Sequence, residues 1–489
     1  MAAAARPLAG VGLGWRRELA TSLLAAPRTV GFVEVIAESC FAASSLRREV
    51  QALAEVWPVL PQGIKLSLGS ADGIDDERAR KLGALARSLR APLVSEHVAF
   101  TRGAGRDIGH LTQLPMSRAA VAVVARNVGR TRRYLPDVPF LLENPAWTLR
   151  WPDDEMGEGD FFHEIVAATG CDLLLDIANV YANALNSGQD PVSLLRSYPL
   201  SRVAMVHIAG GAYRDGFYVD THCHATPPAV MAMLAEVVRV AGPVPVVLER
   251  DGRYPPFSAL AAELAEAAQI VAGGVHVQRD AARTRAAQAE GRPALLAAGG
   301  DRDLRPLLRQ QGQLAQLLTS ESADDVVAAD RRWDVREVAR SRDVLHHKRA
   351  DEALPYLPRM RRVASRQPMG ASGSIDLYAL ALQVMQGCEA SQDLPAIADA
   401  LRIADALAEH PQIGFAAAED GLYLRAQFVR AGHRVRRRWL PFLGSVQLPD
   451  GRRLWGVKAV GRMARVRTVA KGSVSKAAAV DPQPRSGNR

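Results

Sequence analysis

Leu173-Leu-Leu-Asp-Ile-Ala-Asn179 decides how the first half of this chain reads. Three leucines in a row suit a strand buried on both faces, as in a parallel sheet. The run then meets Asp176, with Asn179 three residues on. The same pattern, an apolar strand running into a polar residue, recurs in Leu93-Val-Ser-Glu-His97, Phe140-Leu-Leu-Glu-Asn144, Ala204-Met-Val-His207 and Val246-Val-Leu-Glu249. A strand end presents a side chain with little positional freedom. Several such ends converging would hold imidazoles and carboxylates around one point.

Working outward, strand candidates run Val11–Leu13, Phe32–Glu38, Ile64–Leu68, Pro92–His97, Phe140–Asn144, Leu173–Asn179, Val203–Ile208 and Val246–Glu249. Helical patterns such as Asp75–Leu89, Ser117–Tyr134, Gly159–Ala168, Pro228–Ala241 and Pro256–Val271 lie between them, with start signals at Asp75, Ser117 and Pro227-Pro228. Eight β-α units predict a TIM (β/α)8 barrel, whose functional residues sit at the C-terminal strand ends. A doubly wound sheet is disfavoured, because Gly10-Val-Gly-Leu-Gly14 lacks the spacing of a dinucleotide loop.

The texture changes near Gln278 to Ala, Arg, Leu, Gln and Asp at helical spacing, as in Asp303–Leu318, Ser341–Leu357 and Asp393–His410. The expected organisation is a barrel over 1–277, a mainly helical accessory domain over 278–440, and a basic tail over 441–489. Gln367–Ser374 reads as an internal break. Pro449-Asp-Gly451 suggests a small hairpin, and Lys471–Arg489 reads as disordered.

The chain has 489 residues, 48% hydrophobic, and a net charge of +9. Residues 425–489 carry 16 Lys/Arg and 2 Asp/Glu, a local +14 that leaves 9 − 14 = −5 for the rest. The basicity therefore belongs to the end of the chain, where it suits nucleic acid, an acidic peptide or anionic lipid, or, as the favoured reading, a solvated tail. No uninterrupted apolar run of membrane-spanning length and no secretory signal are read, and nucleic acid is not an expected partner. Four scattered cysteines without a CxxC fit a reducing cytoplasm. Cys223, between His222 and His224, is assigned to packing.

The candidate metal ligands are His97, Glu143, Asp176, His207, Asp220, His222 and Glu249. Imidazole and carboxylate without thiolate suit iron, manganese or zinc. Seven exceed the needs of one ion and suggest two or three with bridging carboxylates. In Asp220-Thr-His222 an extended backbone would put both ligands on one side. Asn179 is a weaker donor, through its amide oxygen or an outer hydrogen bond. His163 is assigned to a helix surface, His110 to a loop and His224 to the surroundings of the site. His346-His347, His410 and His433 are assigned to the surface.

At these residues the chain resembles the multinuclear non-heme iron-dependent oxidases, the DUF692 family. The resemblance rests on Phe32-Val-Glu-Val-Ile-Ala-Glu38, Leu66-Ser-Leu-Gly-Ser-Ala-Asp72, Val94-Ser-Glu-His97, Leu141-Leu-Glu-Asn-Pro145, Leu174-Leu-Asp-Ile-Ala-Asn-Val-Tyr181, Val206-His-Ile-Ala-Gly210 and Asp220-Thr-His222, and spans about residues 8–275. It implies a TIM barrel with two or three irons, Fe(II) and Fe(III) together, and no organic cofactor. It also implies dioxygen chemistry on cysteine-containing, ribosomally made precursor peptides, and the seven candidates as iron ligands. Many members act with a separate peptide-recognition partner; the fused C-terminal half is expected either to fill that role or to be a stabilising or dimerising appendage. The family usually carries a His ahead of the Leu-Ser-Leu-Gly stretch; this chain has Gln62, and Lys65 departs from the pattern too. The rivals are a divalent-metal barrel of the sugar-isomerase or endonuclease IV type and a non-catalytic peptide-binding homologue.

Overall fold

The computed structural model describes residues 8, 10–42, 44–274, 303–320, 332–366, 375–386, 388, 391, 394–431, 434–448, 452–459 and 464–469. The chain divides into two compact units: 1–319 with 323–341, and 320–322 with 342–489.

Eight parallel strands close a barrel in the first unit. They are β1 (Val11–Gly14), β2 (Phe32–Ile36), β3 (Val59–Gly63), β4 (Val94–His97), β7 (Phe140–Glu143), β8 (Asp172–Asp176), β9 (Val203–Ile208) and β12 (Val246–Leu248). Two antiparallel hairpins that the sequence reading did not anticipate leave the barrel after β4 and β9. They are β5 (Ala99–Gly103) with β6 (Arg106–Gln113), and β10 (Gly210–Arg214) with β11 (Phe217–His224). His110 therefore lies on a strand, not in a loop.

One cluster of buried side chains comprises Phe32, Leu60, Leu93, Leu141, Leu174, Met205 and Val247, one from each of seven barrel strands or their approaches. A strand sends residues i and i+2 to the same face. Two positions on from six of these residues stand Glu34, Gln62, Glu143, Asp176, His207 and Glu249. The polar side chains thus form the layer next to an apolar plug, toward the C-terminal mouth. Gly12 makes room for the plug: a Cβ there would meet the Phe32 ring at 2.4 Å.

The strand expected over 64–68 is instead β3 at Val59–Gly63. Side chains capture the amides of the following segment: Ile64 and Lys65 N–H donate to Glu38, and Leu66 N–H donates to Glu96. Ser67 then turns left-handed at φ 64°. β2 and β8 end earlier than expected because helices begin at Ala37 and Ile177. Asp176 ends β8 by capping the next helix, accepting the Asn179 N–H at 2.9 Å.

The first unit continues past the change in texture at residue 278. Helix Arg305–Thr319 packs on the β5–β6 hairpin. Gln311, fully buried, donates to Gly69 O and accepts from Ala71 N, both at 2.8 Å. Trp333 sets its ring against Trp151 at 5.1 Å, and Thr148 and Ser341 share a hydrogen bond at 2.7 Å.

The second unit holds helices Pro358–Ser365, Leu377–Met385, Pro395–Ala406 and Gly414–Gln427 around Leu357, Met360, Ala381, Ile403 and Ile413. A buried Arg349 guanidinium grips both oxygens of buried Asp399. His346 and His347, expected on the surface, are half-buried. A hairpin, Phe428–Ala431 with Arg434–Arg437, follows the helices. Then comes a three-stranded sheet, Phe442–Gln447, Arg453–Lys458 and Arg465–Val469. The first two of those strands pair antiparallel, as the Pro449-Asp-Gly451 signal suggested. Gln367–Ser374, residues 449–451, His433 and the tail from Lys471 lie outside the described residues.

Candidate metal centre

His97, Glu143 and Asp176 are the last residues of β4, β7 and β8; His207 is the penultimate residue of β9, and Glu249 follows β12. Register aligns them. His97 faces Glu143 across one strand pair, Asp176 faces His207 across another, and Val247, two before Glu249, lies beside His207. Parallel neighbours at one level point the same way, so the side chains meet inside the mouth.

One potential ligand atom from each of Glu143, Asp176, His207 and Glu249 lies within 4.8 Å of every other. His207 Nδ1 is 3.2 Å from Glu143 Oε1 and 3.3 Å from Glu249 Oε2. On one flank, His97 Nε2 is 3.2 Å from Glu143 Oε2. On the other, His222 Nδ1 is 3.0 Å from Glu249 Oε2, and its Nε2 is 2.7 Å from Asp220 Oδ2 and 3.9 Å from Asp176 Oδ2. All seven singled-out residues thus form one chain of contacts.

Several neighbours hold them there. Asn144 continues the sheet past β7: its Nδ2 donates to Asp176 O and its Oδ1 accepts from Asp176 N. Asn179 donates to Asn144 O, leaving its own Oδ1 buried without a hydrogen-bond partner. Asn186 clamps the ligand hairpin by pairing with both backbone polar groups of Tyr218. Arg340 stacks 4.2 Å over Phe217 at the start of β11. His222 itself is left-handed at φ 51°, an uncommon conformation for a residue other than Gly, and Asp251 N–H holds its carbonyl at 2.7 Å. His224 pairs with Thr221 and Arg253 instead of the cluster. His163 lies exposed on its helix.

Two buried residues complete the layer. Gln62 Nε2 donates to Glu143 Oε2 at 2.6 Å, so its amide N–H, not its carbonyl, faces the acids. Glu34, not singled out in the sequence, places Oε1 2.9 Å from His207 Nε2. Its signal was available: it stands two positions after Phe32, in the phase shared by the other site residues.

The charges conflict without a cation. Burial lowers an imidazole's pKa, yet the acids outweigh it here. Glu143 and Glu96 push His97 up to about 9. Glu34, Glu249 and Glu143 hold His207 well above its usual value, and Asp220 and Glu249 do the same for His222. Burial, with repulsion from Asp220 and Glu143, drives Asp176 up to about 8. Burial would raise Glu143 and Glu249, but the imidazoles hold both below the ordinary range.

Glu34, Glu143, Asp176, Asp220 and Glu249 are five carboxylates against three imidazoles, so even full protonation of the rings leaves negative charge if the acids stay ionised. Buried oxygens of Glu34, Asp176 and Asp220, both nitrogens of His207 and Nε2 of His222 have no aligned hydrogen bond. Orphaned acceptors, excess negative charge and a mixed N/O donor set fit a cation of charge two or more.

The chain is 38% identical over 262 residues to a UPF0276 protein of Streptomyces avermitilis, a match covering 52% of this chain and 53% of that protein. It is 37% identical over 262 residues to a UPF0276 protein of Chromobacterium violaceum, covering 54% of this chain and 95% of the relative. Among solved structures it is similar to endonuclease IV from Thermus thermophilus, with a TM-score of 0.35 and 19% identity, covering 54% of this chain and 99% of that one. Residues 10–272 match the family described as RiPP precursor modification enzyme MbnB/TglH/ChrH. With this match spanning more than half of its length and enclosing the whole polar layer of the barrel, the chain belongs to the MbnB/TglH/ChrH family of RiPP precursor modification enzymes.

Proposed function

We propose that this protein is an iron-dependent oxidase that uses dioxygen to modify a cysteine-containing precursor peptide. The observation that carries the reading is the buried group Glu143, Asp176, His207 and Glu249, flanked by His97 and by Asp220 with His222, in a chain of a peptide-modifying family. Imidazole and carboxylate donors in this ratio suit iron, and shared carboxylates such as Glu143 and Glu249 suit more than one ion. Iron held there would supply activation of dioxygen and oxidation at the substrate cysteine.

The chain's own residues prepare that chemistry. Glu143 and Glu249 each face two imidazoles, so each is placed to join neighbouring positions. Asn144 fixes the Asp176 backbone and Asn186 fixes the hairpin bearing Asp220 and His222. Side-chain exposure is 0% at Asp176 and His207 but 14% and 13% at Asp220 and His222. The substrate sulfur is proposed to approach from the β10–β11 side, the more open flank, since His97 on the other flank is 9% exposed.

The C-terminal unit, with its excess of Arg and Lys, is proposed to hold an acidic part of the precursor. Cys40, Cys171, Cys223 and Cys388 form no disulfide, which suits a reducing cytoplasm. No described helix is long and apolar enough to cross a membrane.

The test is metal analysis of anaerobically purified protein, followed by oxygen uptake with a cysteine-bearing precursor peptide. Iron with substrate-dependent uptake, both abolished in His207→Ala or Glu249→Ala, is the expected result. Zinc or manganese without uptake would support an isomerase-like barrel instead, and iron without uptake a binding homologue.

A further inference from the structure

We infer that Glu34 is a positioning residue of the metal centre: it holds His207 so that Nδ1 serves the cation and Nε2 points away from it. The inference rests on the metal-centre reading and adds a residue and a ligating atom to it.

Glu34 lies inside β2, two positions after the plug residue Phe32, and is 2% exposed. Burying a carboxylate on an apolar strand is costly unless it is paired. The group beside it is His207, fully buried, with Glu34 Oε1 2.9 Å from Nε2. The opposite ring nitrogen, Nδ1, faces Glu143 at 3.2 Å and Glu249 at 3.3 Å. Both of those acids belong to the four-residue group that draws together around one point.

An imidazole has one lone pair for a metal and one N–H for an acceptor, and ligating histidines commonly give the second proton to a carboxylate that fixes their tautomer and orientation. The two sides of His207 are unequal in the way this division requires. Two candidate ligand acids stand at Nδ1, and a single acid outside the four stands at Nε2. Both nitrogens of His207 and both oxygens of Glu34 are buried without an aligned hydrogen bond. Glu143 and Glu249 stand only at Nδ1, so committing Nδ1 to a cation leaves Nε2–H with Glu34 as its acceptor. In the barrel register Glu34 pairs with Gly14 of β1 and with Leu60 of the plug layer.

The experiment uses the full chain, stripped and reloaded with ferrous ion under anaerobic conditions. It compares wild type, Glu34→Ala and Glu34→Gln. Affinity is read by chelator competition, stoichiometry by elemental analysis, and the ligating nitrogen from a crystal structure of the metal-loaded wild type. Glu34→Ala is expected to weaken iron binding about 10–100-fold without lowering the number of ions at saturation. Glu34→Gln keeps an acceptor oxygen and is expected to recover part of that loss. Ligation through Nδ1, with Nε2 on Glu34, is the expected geometry.

Unchanged affinity in folded variants, ligation through Nε2, or Glu34 itself on the metal would each overturn the assignment. A purely structural role would lower the melting temperature of the stripped protein and leave the affinity alone, which also overturns it. Failure of the wild type to take up any metal would sink the metal-centre reading as well, and so is distinct from the other outcomes.

Discussion

Gln311→Ala tests whether the segment beyond residue 278 belongs to the barrel unit. The side chain of Gln311 is fully buried. Its amide spans the loop after β3, donating to Gly69 O and accepting from Ala71 N, both at 2.8 Å. Truncation leaves one carbonyl and one amide N–H without a partner. An unsatisfied buried group costs about 1–3 kcal/mol, so the pair predicts about 2–6 kcal/mol, with the low end applying where water enters the gap. In a unit of this size each kcal/mol moves the melting temperature by about 2 °C. The expected drop is therefore about 4 °C or more in a calorimetric scan of the full chain. Gln313, on the exposed side of the same helix, is the control, and Gln313→Ala is expected to stay within about 0.5 kcal/mol of wild type. Equal melting of Gln311→Ala and Gln313→Ala would refute the docking of this helix as a structural part of the barrel unit.

Two further outcomes follow from single residues. Gln62 spends its N–H on Glu143 Oε2 at 2.6 Å, the oxygen that His97 Nε2 also faces, so a proton donor stands at a corner where a cation would need a lone pair. Gln62→His supplies one, and metal content per chain is expected to rise; equal content in the two proteins would count against this role. In the second unit, burial, with Arg349 and Arg342 nearby, depresses His346 to about 4. Its folded pKa lies below the unfolded value, so the stability it contributes is complete above about pH 6.5 and is lost as pH falls toward 4. The loss is at most about 3 kcal/mol for this half-buried ring. His346→Gln is expected to remove that slope from denaturation measured between pH 7 and 4, and superimposable profiles for the two proteins would exclude it.

The polar layer was legible because it follows from a period of two. Leu141 and Glu143, Leu174 and Asp176, Met205 and His207, and Val247 and Glu249 each put an apolar side chain in the plug and a donor two positions further along the same face. Glu34 obeys the same rule after Phe32, but an acid in mid-strand gives no terminus signal. Gln62 was seen as a departure, yet its strand was drawn five residues too late. Pro58 and Pro61 obscured Val59–Gly63, and Ile64-Lys-Leu-Ser-Leu68 looks extended by composition. Only the Glu38 and Glu96 carboxylates, which take up the amides of residues 64–66, show why that segment is a loop.

What the chain determined by itself is therefore the barrel, the apolar plug and the identity of most residues of the polar layer, because strand periodicity and β-α alternation are local properties. Which donor meets which was decided by closure of the sheet. Parallel register sets His97 beside Glu143 and Asp176 beside His207, and only in the closed barrel does Glu34, from the opposite end of the chain's strand order, reach the far nitrogen of His207. The two hairpins and the helix containing Gln311 were likewise settled by tertiary contact. Gln113 satisfies Leu149 O, Gln311 satisfies Gly69 O and Ala71 N, and Asn186 satisfies both backbone groups of Tyr218, tens to hundreds of residues apart, and no local pattern encodes such pairings.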